Sequence, residues 1–335
     1  MNIQHPYLLF LGNAPDQPSA KTASGIVDWR PEWCLGQLRL ENCKADLKIP
    51  DLTIREAAEK GAKTLVLGVV NAGGFLPDSW VEVIVEALDN GMDIASGLHG
   101  KLGDNPAIGS ASVKSGGNLW DLRLPAVAFE TDDGAKRSGK RVLPVGTDCN
   151  VGKKYTALAL EKELRSRGVK ADFCATGQTG VLISGRGTAI DAVVADFIAG
   201  AAAWVSPAND PDHWDCVEGQ GAILHPTYAG VTLGLLHGSQ ADALVLCHDP
   251  ARQIMRSTQY PVPGIQETID AIMILGRVTN PNAQFVGIAI NSSSMDDEAA
   301  QTYMAEIEAT HGLPTEDPFR FGMKRTVDKM LTLFP

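Results

Sequence analysis

The run Gly146-Thr147-Asp148-Cys149-Asn150-Val151-Gly152-Lys153-Lys154 fits the pattern GxxxxGK. Glycines at these offsets let backbone N–H groups converge on phosphate oxygens. A helix that starts at the second glycine adds positive potential, and the lysine reaches the outer phosphates. The candidate phosphate-binding residues are therefore Gly146, Thr147, Asn150, Val151, Gly152, Lys153 and Lys154. One position departs from the pattern. The Ser or Thr that usually follows the lysine and binds Mg²⁺ is Lys154, with Thr156 two places on. A second cation favours a more anionic phosphate and removes the usual metal ligand. The loop is expected to hold a phosphorylated ligand; no metal-binding residue is assigned and no obligatory metal is expected.

Candidate acid–base groups lie in and after this loop. Asp148 sits within it. Glu218 lies in the Gly-flanked turn Asp215-Cys216-Val217-Glu218-Gly219-Gln220-Gly221, where it could act as a base or metal ligand, or be a plain solvated carboxylate. His225 and Tyr228 follow in His225-Pro226-Thr227-Tyr228, and either could donate to an oxyanion or simply pack. Thr176-Gly177-Gln178-Thr179-Gly180 follows an expected strand, where ligand loops of α/β sheets sit. Asp191 and Asp196 are five apart, which puts them on different faces of an expected helix.

These residues need a frame of strands and helices. The apolar run 8–11 ends at Gly12-Asn13-Ala14, a strand and a turn. A helix is expected over 52–61, a strand over 64–70, a helix over 78–90 stopped by Gly91, and a strand over 93–95. Strand, helix and strand at this spacing imply a parallel sheet. The polar stretch 131–140 reads as a linker. After it come a strand over 141–145, the Gly-rich loop, a helix over 153–167 closed by Gly168, and a strand over 170–175. Further strands are expected over 243–247 and 285–290. The fold class is thus α/β in two domains: a Rossmann-like parallel sheet over 1–130, and a P-loop NTPase-like parallel sheet over 141–335. Gly12 stands alone and makes no GxGxxG, so the first half carries no dinucleotide fingerprint.

Composition narrows the function classes. The chain has 335 residues and a net charge of −11. Nothing supplies a basic face for a nucleic acid backbone. No apolar run approaches the ~18 residues of a membrane span. The six cysteines are scattered without a CxxC pair, as expected of reduced thiols in a cytoplasmic protein.

The loop together with Val217-Glu218-Gly219-x-Gly221 is similar to the dethiobiotin synthetase branch of P-loop proteins. A wider set is more specific: Ala20-Lys21-Thr22, Leu98-His99-Gly100-Lys101-Leu102, Ala175 to Gly180, Val193-x-Ala195-Asp196-Phe197, and Glu218-Gly219-Gln220-Gly221 with His225-Pro226. With these motifs the whole chain resembles the D-glutamate N-acetyltransferase family, formerly a family of unknown function with a Rossmann-like first half and a P-loop second half. The resemblance implies an acyltransferase with acetyl-CoA as donor and D-glutamate as acceptor. It also implies a pathway partner, an N-acetyl-D-glutamate racemase of the enolase type. Under this reading the loop holds the pyrophosphate or 3′-phosphate of coenzyme A. Glu218 or Asp148 takes the proton from the ammonium, and His225 or loop N–H groups meet the oxyanion. Lys21, Arg30, His99 and Lys101 of the first half are the candidate cations for the two carboxylates of the substrate, so a site drawing on both halves is expected. A homo-oligomer is expected as well. The alternatives are an ATP-dependent ligase or kinase of the dethiobiotin synthetase type, and a nucleotide-sensing regulatory protein.

Overall fold

The computed structural model describes residues 3–69, 76–98, 100–125 and 127–335. The chain forms two compact units, Met1–Ala126 with Gln178–Ala189, and Val127–Gly177 with Ile190–Pro335.

The first unit contains β1 (Tyr7–Gly12), α1 (Lys21–Trp29), β2 (Cys34–Arg39), α2 (Ile54–Glu59), β3 (Thr64–Leu67), α3 (Asp78–Asp89), β4 (Asp93–Ser96), α4 (Pro106–Ser115) and β5 (Leu119–Asp121). Its sheet has the order β2-β1-β3-β4-β5, and every pairing is parallel. All six residues of β1 are buried. A central parallel strand is covered on both faces, so its sequence is continuously apolar rather than alternating. Two of its helices, α2 and α4, begin where side chains satisfy their first N–H groups. Thr53 and Glu56 form a capping box at α2, and Asn105 caps α4 ahead of Pro106. The strand expected over 64–70 ends at Leu67, and its last residue, Val70, lies outside the described residues.

The second unit contains β6 (Lys140–Gly146), α5 (Lys153–Ser166) and β7 (Ala171–Cys174). The chain then runs through α6 (Gln178–Ser184), which belongs to the first unit, to α7 (Ile198–Val205) and β8 (Trp214–Val217). It closes with α8 (Ala229–Ser239), β9 (Ala243–His248), α9 (Ile265–Gly276), β10 (Gln284–Ile290), α10 (Asp297–His311), β11 (Thr315–Glu316) and α11 (Lys324–Leu333). The strand order is β11-β10-β9-β6-β8-β7, again all parallel. Leu143, Val145, Leu244, Leu246, Ile288 and Ile290 join α7, α8 and α9 side chains in one core.

Two local expectations are corrected. Asp191 and Asp196 do not share a helix; they fall in separate short 3-10 turns, 190–192 and 195–197. Residues 214–217 are a fully buried strand, so Glu218 marks a strand end rather than an open turn. All six cysteines are free; Cys174, Cys216 and Cys247 are buried and the others half-buried. Among the described residues no helix is long and apolar enough to cross a membrane.

Candidate active site

The chain leaves β6 toward β7 and β8 on one side and later places β9 on the other. The C-terminal end of β6 therefore lies where the strand order reverses, the crevice in which open α/β sheets take ligands. The GxxxxGK loop occupies this end. Thr147 is pinned on both sides: its N–H donates to the Cys247 carbonyl at 3.1 Å, and its Oγ1 lies 3.0 Å from His248 Nδ1. Asn150 and Gly152 have φ of 55° and 105°. These left-handed conformations fold the loop back over itself, and Gly152 tolerates its φ because it has no Cβ. No side chain caps α5 at Gly152, and uncapped N–H groups of a first turn suit an anion. Lys153 is buried inside the loop, its Nζ donating to the Asp148 carbonyl at 2.8 Å. Burial pulls its pKa below the ordinary lysine value. Thr156 does not replace the missing Ser or Thr. It is fully buried, and its Oγ1 lies 3.1 Å from the Gly152 carbonyl and 3.3 Å from Cys247 Sγ.

Asp148 is fully buried and saturated with donors. Its Oδ1 accepts from Cys149 N at 2.6 Å, and its Oδ2 accepts from Arg252 Nη1 at 2.9 Å and Arg256 N at 2.8 Å. Burial alone pushes a carboxyl up, but these charged and backbone donors together hold Asp148 below the usual carboxylate range. His225 is buried beside it, with Nε2 3.8 Å from Asp148 Oδ1. Its Nδ1 accepts from Thr227 N at 3.1 Å, which leaves Nε2 to donate to the Arg256 carbonyl at 3.0 Å. Asp148, Cys149 and His225 bring potential metal donors within 4.8 Å of one another. However, both carboxylate oxygens and both imidazole nitrogens already have hydrogen-bond partners, and burial raises the Cys149 thiol above its ordinary range. The cluster is a lock joining the loop to residues 252–256.

Glu218 is different. It follows β8, which lies next to β6, and it is 4% exposed. Its Oε2 accepts from Thr176 N at 3.0 Å and Gly177 N at 2.9 Å, at the end of β7. The Gly219 backbone passes so close to β6 that a Cβ there would lie 1.8 Å from the Pro144 carbonyl oxygen. This close approach brings Glu218 up to the phosphate loop. Burial raises its pKa from 4.5 to about 7, opposed by the Lys154 charge and the two N–H donors. Two carboxylates near one loop are thus driven apart, one fixed as an anion and one poised to exchange a proton near neutrality.

Comparison with known proteins gives this site its context. Residues 130–327 match the family model described as "Domain of unknown function (DUF1611_C) P-loop domain", and residues 38–125 match "Domain of unknown function (DUF1611_N) Rossmann-like domain". The chain belongs to the DUF1611 family. A "D-glutamate N-acetyltransferase" of Tritonibacter scottomollicae is 49% identical over 98% of this chain and 99% of that protein. A protein of the same name from a Pseudoalteromonas species is 48% identical over the same shares. The crystal structure of a DUF1611 family protein from Anabaena variabilis is 30% identical, with a TM-score of 0.85 over 98% of this chain and 100% of that one.

Of the cations of this DUF1611 chain predicted to meet the substrate carboxylates, Lys21, Arg30 and Lys101 lie in the first unit. Lys21 opens α1 and is exposed. Arg30 ends α1, with its guanidinium 5.6 Å from the Trp33 ring centre. Lys101 precedes the short turn Leu102–Asp104 and is exposed. His99 lies outside the described residues. In the second unit Lys154 Nζ sits 5.2 Å from the Tyr155 ring, and Val151 is buried. The 176–180 segment divides: Thr176 and Gly177 hold Glu218, whereas Gln178 starts α6. Sequence reasoning missed Arg252, Arg256 and His248. The available signal was two arginines four apart just after an expected strand, the usual position of a ligand loop.

Proposed function

We propose that this chain transfers the acetyl group of acetyl-CoA to the α-amino group of D-glutamate. The observation that carries the chemistry is Glu218, a buried carboxyl with a pKa near 7 beside a phosphate-binding loop. Two nearly full-length relatives named for this reaction support the choice of substrate.

Only a neutral amine attacks a thioester, so the ammonium of D-glutamate must lose a proton first. Glu218 is the base: near pH 7 a useful fraction is ionised and still basic enough to accept that proton. Asp148, held low by Arg252, is a positioning residue that fixes the loop. His225, with both nitrogens committed, positions the Arg256 segment, and loop N–H groups take the oxyanion role. One such donor is typically worth ~3 kcal/mol. The residues of the loop fit the phosphates of coenzyme A: Gly146, Thr147, Asn150, Val151 and Gly152 provide backbone, and Lys153 and Lys154 provide charge. Coenzyme A brings the acetyl thioester and needs no metal to do so. An ATP-dependent ligase would need a hydroxyl on Mg²⁺, and the Thr156 hydroxyl is spent within the protein. Lys21, Arg30, His99 and Lys101 are assigned to substrate carboxylates by charge, so Lys21→Ala or Lys101→Ala raises KM for D-glutamate. We place the protein in the cytoplasm as a homo-oligomer, with an enolase-type N-acetyl-D-glutamate racemase as consumer of its product.

The test is thiol release from acetyl-CoA by the purified protein in EDTA. Release that depends on D-glutamate is expected. No release, or turnover only with ATP and Mg²⁺, refutes the reading.

A further inference from the structure

The turn after β11 presents two aromatic rings to solvent, Phe319 at 62% exposure and Phe321 at 42%. Isolated exposed apolar residues are ordinary, but three features set this turn apart. First, it is rigidly held. Asp317 is 3% exposed; its Oδ1 accepts from Phe319 N at 2.9 Å and Arg320 N at 3.0 Å, and its Oδ2 accepts from Ser292 N at 3.0 Å and Ser292 Oγ at 2.6 Å. Arg320 is tied in turn to the Ser292 and Met295 carbonyls. A buried carboxylate is thus committed to holding an apolar ring in water. Second, the turn lies at the C-terminal end of a parallel sheet, the end that carries the phosphate loop. Third, the Phe319 ring meets the loop's own helix. It packs against Tyr155 with centroids 5.5 Å apart and planes at 68°, and Lys154 Nζ lies 5.2 Å from that same Tyr155 ring.

An ammonium group, a loop fit for phosphate and a preorganised exposed ring are therefore contiguous. A phosphorylated ligand with a flat apolar end matches this sequence of chemistries. We propose that Phe319, backed by Tyr155, is the stacking platform for the purine of the bound donor, with Lys154 taking a phosphate next to it. The inference rests on the acetyl-CoA reading and makes the nucleotide half of coenzyme A a determinant of donor choice. Purine and phenyl rings stack with little demand on hydrogen bonding, so an unadorned Phe suffices.

The experiment compares acetyl-CoA with S-acetylpantetheine, which carries the same thioester without the nucleotide. Phe319→Ala is expected to lower the ratio of kcat/KM for acetyl-CoA to that for S-acetylpantetheine by about 5- to 150-fold, the range of losing one base–aromatic stack. Phe319→Tyr is expected to restore the ratio. The thermal midpoint of either variant should match the parent protein, because the ring is solvent-facing. A parent protein that uses acetyl-CoA, with an unchanged ratio in Phe319→Ala, overturns the stacking site and leaves acetyl transfer standing. Equal losses with both donors also overturn it. A parent protein that turns over neither donor overturns the acetyl-transfer reading and this inference together.

Discussion

Replacing Glu218 with Gln should abolish the base yet leave the fold at least as stable. The amide keeps an oxygen for the Thr176 and Gly177 N–H groups, which lie 3.0 and 2.9 Å from the carboxylate. It removes a charge that burial disfavours. Moving a carboxyl from 4.5 to about 7 corresponds to about 3 kcal/mol against its ionised form, at 1.36 kcal/mol per pH unit. The sign follows from proton linkage. A folded pKa above the unfolded one means that the native state binds more protons between these values, so native stability falls as pH rises through that window. Glu218→Gln should accordingly gain up to about 3 kcal/mol over the parent at pH 8 and little at pH 4. Its kcat should drop by roughly 10²–10⁴-fold, the usual worth of a general base. The parent kcat/KM for D-glutamate should rise with pH through about 7, and this limb should vanish in the variant. Denaturant unfolding at both pH values and a pH–rate profile measure these effects. A variant that keeps the limb, or unfolds more readily at pH 8, would refute the argument.

Lys154→Met removes the charge that opposes the burial of Glu218; the acidic limb of kcat/KM should move to higher pH, and a limb that stays in place removes Lys154 from the proton's environment. Arg252→Ala strands a fully buried Asp148 carboxylate and should cost about 3 kcal/mol at pH 7 by urea unfolding. Because Asp148 is held low, that penalty should shrink as the carboxylate is protonated in acid. Asp148→Asn, by contrast with Glu218→Gln, should keep the limb near pH 7 while lowering its height, as expected of a residue that holds the loop. Lys153→Ala should weaken acetyl-CoA binding by about 1.5–3 kcal/mol in calorimetry, the worth of a charge-assisted hydrogen bond; unchanged affinity in a folded variant would remove the loop from donor binding.

What could be read along the chain is what depends on near neighbours in sequence. Residues 8–11, 64–67, 243–247 and 285–290 were legible as buried parallel strands because burial on both faces leaves them continuously apolar. The phosphate loop was legible because its turn, glycines and helix start lie within nine residues. Strand Trp214–Val217 escaped notice because it is short, carries Asp215 and is flanked by His213 and Glu218, although the Asp215 carboxylate is buried and accepts from Ser206 Oγ at 2.5 Å. Nor did the sequence show that residues 178–189 pack with the first unit, where the Leu182 carbonyl accepts from the Tyr7 hydroxyl 175 residues away. Most of all, the division of labour between Asp148 and Glu218 belongs to the tertiary structure. As residue types they are interchangeable carboxylates, and both readings were open. Strand order sets Glu218 against N–H groups 41 and 42 residues away, and sets Asp148 against an arginine 104 residues away. A pKa is decided by burial and by the charges within a few ångströms, and those neighbours exist only once the strands have been placed side by side.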